Sequence, residues 1–337
     1  RYFSSASWAM SEKKLVKYEC LLDKIHTEKA EYEYAYLFKQ EYDFPLLHPI
    51  PYHQEGRYDE NRKAVQQLIQ QKLKEFQRNG YTLNVLAEAC SNENSTTLGQ
   101  YMSLYWHEGI FDELAFKILM NAQSSGTMAL DYVRGFSQRG ISLFPDILDI
   151  AMQEKCSNDV IVGLYRIEAM YADDIPLIQN ADYIIKELFW KIPTSWMNIN
   201  YKWALSECKQ YGSLTSYIFI LYNAKDKGIL NEEEIFFYLN DIEKMPRKDN
   251  TQMTDYYIKE ILKFLQEKYM YDSEKCERIA AIEMSFFPYL DWEDMRCFDR
   301  SMKKTPDLFA ELISIVFKKD NEEKKELTEE ESNYVNA

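Results

Sequence analysis

The stretch 58–80, YDENRKAVQQLIQQKLKEFQRNG, decides the fold class. Val65, Leu68, Ile69, Leu73 and Phe76 recur at steps of three and four, which places them on one stripe of a helix. Asn79-Gly80 ends that run where the chain needs a residue that enters a left-handed turn without strain. The same grammar runs through the whole chain. It holds 10 Gly and 9 Pro in 337 residues, beside 46% apolar and 28% charged residues, and most of the glycines close apolar-periodic runs. No run alternates with period two for long enough to make a strand, so the chain is predicted to be all-α.

Gly80, Gly109 and Gly140 close three successive segments, and Pro145 and Pro176 open two later helices at a similar interval. That interval, about thirty residues, holds two short helices and their turns, the size of a helical-hairpin repeat. No letter pattern recurs at the period, so the repeats are structural and degenerate. The expected architecture is an α-solenoid of degenerate helical hairpins, a repeat-like right-handed superhelix.

Three regions follow. Residues 1–56 form an N-terminal helix, with Tyr18, Leu21, Leu22, Ile25, Tyr32, Ala35 and Tyr36 on its stripe, and a joint at 43–56 whose three prolines disfavour helix. Residues 57–319 form the repeat array, with helices expected at 157–171, 176–190, 200–211, 214–226, 231–244, 254–270, 274–286 and 305–318. Asn231 with Glu234 has the form of a capping pair, and Thr305-Pro306-Asp307 places a cap, an N1 proline and a first-turn acid in order. Residues 320–337 are an acidic tail or linker, with seven acids against two lysines over 320–334.

The formal charge of −15 and the pI near 4.9 oppose any sequence-independent hold on a phosphate backbone, so no direct nucleic-acid partner is expected. No apolar stretch approaches the ~20 residues of a membrane-spanning helix, and Arg1-Tyr2-Phe3-Ser4-Ser5 lacks a signal-peptide pattern. A cytoplasmic protein without a membrane partner is expected. The chain begins with Arg, which reads as a piece of something longer or as processing.

No residue is assigned a catalytic, cofactor-binding or metal-binding role. Cys20, Cys90, Cys156, Cys208, Cys276 and Cys297 are spread without close pairs and read as reduced core residues. The segment 223–234, NAKDKGILNEEE, imitates a calcium loop through Gly228, Leu230 and Glu234, but Lys225 and Lys227 stand where carboxylates are needed. A helix end, a glycine turn and an Asn-capped helix explain the same letters. His48 and His53 share the proline joint, and His26 and His107 are isolated, so exposed loop histidines are expected. The glycine-rich phosphate loops G-x-x-x-x-G-K-[ST] and G-x-G-x-x-G are absent, so no nucleotide or other cofactor is called for. Trp190, Trp196, Tyr201 and Trp203 form the densest aromatic group, around the break at 192–195. Core filling between repeats is the favoured reading, and Trp196, Tyr201 and Trp203 are the candidate partner-binding anchors.

Leu104-Tyr105-Trp106, the run 284–290 (MSFFPYL) and above all 306–318 (PDLFAELISIVFK) resemble the α-helical repeat region of very large bacterial proteins akin to STAND-type NTPases of anti-phage defence. The resemblance covers the last two-thirds of the chain and is carried by structural motifs. It implies helical repeats that sense a target, downstream of an effector and a nucleotide-binding module whose phosphate loop this chain lacks. The resulting expectation is a non-enzymatic, protein-binding helical-repeat module, a recognition or scaffold segment whose partner presents a basic or mixed-charge protein surface. The alternative is an all-α enzyme or subunit with a site built from scattered acids and tyrosines.

Overall fold

The computed structural model describes residues 17, 34–38, 57–78, 83–91, 97–171, 176–192, 200–242, 252–287, 290–305, 307–308 and 310. Among the described residues there are fourteen α-helices, four short 3-10 turns and no strand, so the chain is all-α. It divides into two compact units, Arg1–Tyr171 and Ala172–Ala337. The proline joint at 43–56 and the acidic tail at 320–337 lie outside the described residues, as do Gly80, Trp196, His26, His48 and His53.

The first unit contains α1 (Arg57–Arg78), α2 (Leu83–Ser91), α3 (Leu98–Tyr105), α4 (Glu113–Ala122), α5 (Thr127–Ser137), α6 (Asp146–Gln153) and α7 (Asn158–Tyr171). On α1 the predicted stripe faces inward: Val65, Ile69, Leu73 and Phe76 are buried and Leu68 is half-buried. The tightest packing is between α3 and α5. A Cβ on Gly99 would stand 1.9 Å from the Met128 carbonyl oxygen, and one on Gly135 would stand 2.0 Å from Ser103 Oγ. Both glycines lie inside helices, where each costs about 1 kcal/mol against Ala. The sequence pattern points to glycines as terminators; these two instead sit mid-helix, where Gly99 admits the Met128 carbonyl and Gly135 the Ser103 side chain.

The second unit contains α8 (Tyr183–Lys191), α9 (Tyr201–Tyr211), α10 (Leu214–Asp226), α11 (Glu232–Asp241), α12 (Gln252–Tyr269), α13 (Ser273–Ser285) and α14 (Arg296–Met302). Helix α10 is buried continuously from Leu214 to Leu221 and packs against α9, α11 and α12, as an apolar-all-round helix must. Its polar atoms find partners: the Thr215 and Thr254 hydroxyls meet at 2.6 Å, and the Tyr217 hydroxyl donates to the Tyr238 carbonyl at 3.2 Å. The first turn of α11 ties the unit together. Glu232 pairs with Lys268 on α12, Glu233 with Arg278 on α13 at 3.0 Å, and Glu234 with Lys202 on α9.

Two boundaries differ from the sequence expectation. The single helix expected at 176–190 is a 3-10 turn, Leu177–Asn180, followed by α8. Asp182 separates them because its side chain accepts from the Ile185 N–H at 2.9 Å, which starts a new helix there. The turn Trp292–Asp294 and α14 were not expected, since α14 is seven residues long and capped from a distance. Its cap is Glu283 of α13, fully buried, whose Oε1 accepts from Gln266 Nε2 at 2.7 Å and the Cys297 N–H at 3.2 Å. Oε2 accepts from the Phe298 N–H at 2.6 Å. Of the helix expected at 305–318, Thr305 is not helical, residues 307, 308 and 310 are, and the remainder lies outside the described residues.

Replacing Gly99 or Gly135 by Val is expected to lower stability by about 1–3 kcal/mol or more, read from urea unfolding, since the Met128 backbone at one site and the buried Ser103 Cβ at the other leave no room for a side chain. A second test concerns Glu283, whose carboxyl burial pushes up from 4.5 to about 7, against the opposing pull of its three donors. The folded state therefore keeps a proton that the unfolded state releases. Stability from this group is full below about pH 4.5 and is lost as pH rises through 7, by about 3 kcal/mol at most. The urea midpoint should fall between pH 5 and 8, and Glu283→Gln should flatten that fall.

Candidate functional site

In the first unit a groove of about 860 Å³ opens between the C-terminal turns of α1 and the loop leading into α4. Lys74, Gln77 and Arg78 form the α1 wall, and Tyr105, His107, Glu108, Ile110, Phe111, Asp112 and Glu113 the other. The loop owes its shape to three successive left-handed residues, His107 (φ 45), Glu108 (φ 59) and Gly109 (φ 75). Two of these carry side chains, and strain of this kind persists where surrounding contacts over-determine it.

Those contacts come from α5 and the turn that follows it. The Arg139 guanidinium donates to the Ser103 carbonyl at 2.7 Å and the Gly109 carbonyl at 3.4 Å, and its Nε to Gly135 at 3.2 Å. One cation thus collects carbonyls from the end of α3, the strained loop and α5. The Tyr132 hydroxyl accepts from the Asp112 N–H at 3.0 Å, and burial pushes the Tyr132 phenol up to about 12. Asp112 caps α4, its Oδ1 accepting from the Leu114 N–H at 3.0 Å. Its Oδ2 faces His107 Nε2 at 3.3 Å, while Gln77 Nε2 donates to His107 Nδ1 at 3.0 Å. A neutral ring with its proton on Nε2 satisfies both contacts and braces α1 against the loop.

The groove's polar groups divide into spent and unspent. Asp112 is taken by His107 and Leu114, and Glu113 by Lys117 at 2.8 Å. Lys74 and Arg78 are exposed and have no ion-pair partner among the described residues. Ile110 lines the groove and is 68% exposed, and Leu114, the residue after the lining Glu113, is 65% exposed.

The sequence-derived anchors lie in the second unit. Tyr201 opens α9 and is buried, with Lys227 Nζ 5.1 Å from its ring centroid. Trp203 is half-buried and meets the fully buried Trp190 edge-on at 5.6 Å. Asn200 caps this helix, accepting from the Lys202 and Trp203 N–H groups at 3.1 Å. Trp196 lies outside the described residues. At the calcium-like segment Glu234 completes a capping box with Asn231, accepting from its N–H at 3.0 Å, and Lys225 lies over the Tyr222 ring at 4.8 Å. Among the described residues no group of three His, Cys, Asp or Glu is placed to hold a metal ion, and no helix is long and apolar enough to cross a membrane.

No family model, curated protein or solved structure matches the chain.

Only part of the groove is legible in the sequence. The i, i+3, i+4 spacing of Lys74, Gln77 and Arg78 on one helix face was legible; the turn that brings His107 to Gln77 was not, because nothing local announces two non-glycine left-handed residues. Gly109→Ala is expected to cost about 1–2 kcal/mol from its left-handed backbone. Its Cβ would also stand 2.9 Å from Arg139 Nη1. In a double-mutant cycle read by urea unfolding, Gly109→Ala with Arg139→Ala should cost less than the sum of the single variants, since the clash disappears with the guanidinium.

Proposed function

We propose that the chain is a protein-binding helical module whose first-unit groove docks a segment of a partner protein. The observation that carries this reading is an open concavity with exposed Ile110 in its wall, exposed Leu114 next after the lining Glu113, and a polar wall already held in place by Arg139, Tyr132 and Gln77. Apolar side chains beside pre-positioned polar groups are what a docked peptide needs, because little ordering remains to be done on binding. The proposal includes an α-solenoid arrangement of the hairpins and a place in a larger polypeptide of the STAND-like kind, as the residues at 104–106, 284–290 and 306–318 suggest.

The enzyme alternative draws less support from the same groups. A general base needs a ring nitrogen facing substrate, and both nitrogens of His107 are engaged, by Gln77 and Asp112. Glu283 titrates near neutrality, but it is fully buried and its oxygens accept from Gln266, Cys297 and Phe298.

Selection from a random displayed-peptide library against the folded protein tests the reading. Enrichment of a shared sequence that no longer binds the Ile110→Asp/Leu114→Asp variant, with helix content unchanged by circular dichroism, is the expected outcome. Failure to enrich any shared sequence, or equal capture by the variant, would overturn it.

A further inference from the structure

Resting on the groove reading above, we infer that its occupant is an acidic peptide segment in extended form, with carboxylates at alternate positions and an apolar residue between them. Net charge alone argues for a basic or mixed-charge partner, and the local chemistry of the groove argues the opposite. Helix α1 carries six cations (Arg57, Arg62, Lys63, Lys72, Lys74, Arg78) against three acids (Asp59, Glu60, Glu75) in a chain of net charge −15. Lys72 is committed to Glu75 at 2.9 Å. Lys74 and Arg78 have no ion-pair partner among the described residues, and both line the groove.

The spacing selects the conformation of the ligand. Residues i and i+4 on a helix stand about 5–6 Å apart at Cβ. Alternate residues of an extended chain point the same way and are separated by about 6.6 Å, so two carboxylates at such positions meet Lys74 and Arg78 together. The residue between them points to the other wall, where Ile110 and Phe111 offer apolar surface. Arg78 can take a carboxylate with two N–H groups, which a point charge cannot do.

The acids of the far wall do not oppose this ligand equally. Glu113 is paired with Lys117, and Asp112 accepts from the His107 Nε2–H and the Leu114 N–H; of the lining acids Glu108 is the one with no partner among the described residues. It turns the ligand's acids toward α1. Because the charge of the whole molecule repels an acidic peptide, its capture requires attraction at short range, within the screening length of about 8–10 Å.

The probes are three fluorescein-labelled synthetic peptides: one alternating Glu and Ile, its twin with Lys for Glu, and one of the first composition with its Glu residues grouped. Fluorescence anisotropy should show the alternating acidic peptide binding the wild type more tightly than either other probe. Binding should weaken about tenfold or more in Lys74→Glu/Arg78→Glu, a change on the scale of one good ion pair. That variant should in turn prefer the Lys twin. Lys74→Gln/Arg78→Gln should weaken the acidic probe without gaining the basic one, and circular dichroism should report an unchanged fold for both variants.

Tighter wild-type binding of the Lys twin, equal binding of the grouped-Glu peptide, or indifference to charge reversal would overturn the acidic, alternating ligand. The docking reading itself would survive those results if library-selected peptides still depend on Ile110 and Leu114. Absence of binding by all three probes overturns the present inference, while loss of that Ile110 and Leu114 dependence overturns the docking reading.

Discussion

The close approach of α3 and α5 is the constraint on which the first unit depends. At Gly99 the α3 backbone meets the Met128 carbonyl of α5, and at Gly135 the α5 backbone meets the Ser103 side chain of α3, with no room for even a methyl group at either. That approach fixes where α5 and the turn after it can send their side chains. Tyr132 reaches the Asp112 N–H, and Arg139 reaches the Ser103 and Gly109 carbonyls. Without a close α5 the left-handed run at 107–109 would lose the contacts that hold it, and His107 would lose its alignment with Gln77. The groove is thus a consequence of two missing side chains on neighbouring helices. Interior glycine weakens each helix by a small amount, and the packing it permits offsets that loss.

The second unit is organised by burial and by charge. An apolar helix, α10, is enclosed by α9, α11 and α12, while the three glutamates opening α11 reach cations on α9, α12 and α13. Acids in the first turn also suit the positive end of the helix dipole. Exposed ion pairs contribute little individually, so their importance here is geometric: they set which helix lies beside which. Glu283 belongs to another regime. It is buried, its oxygens are engaged by three donors, and it begins α14 from outside that helix.

A division between committed and uncommitted charge separates architecture from recognition. Carboxylates at 112, 113, 232, 233, 234 and 283 are all spent on caps or on cations. Arg139 is spent on carbonyls. Lys74 and Arg78, exposed on a concave wall and facing apolar residues across it, are spent on nothing within the described residues. Groups left unpaired at a concavity have energy to give to a ligand, whereas paired groups must first lose a partner.

Legible in the sequence were the all-α class, the inward stripe of α1, and the helix ends marked by Asn231 with Glu234, Gly109 and Gly140, because periodicity and capping are local chemistry acting over three or four residues. It did not reveal Gly99 and Gly135 as contact points, since a glycine inside a helix looks the same whether its neighbour is solvent or another backbone. It missed α14, whose cap comes from Glu283, thirteen residues before the helix begins. It also read Glu234 correctly as a cap but could not see Lys202 beside it, and it treated His107 as a loop histidine. In each case the deciding partner is distant in the chain. Only the tertiary structure brings Gln77, His107, Asp112, Tyr132 and Arg139 to one groove, because their mutual distances depend on how closely two helices can pack.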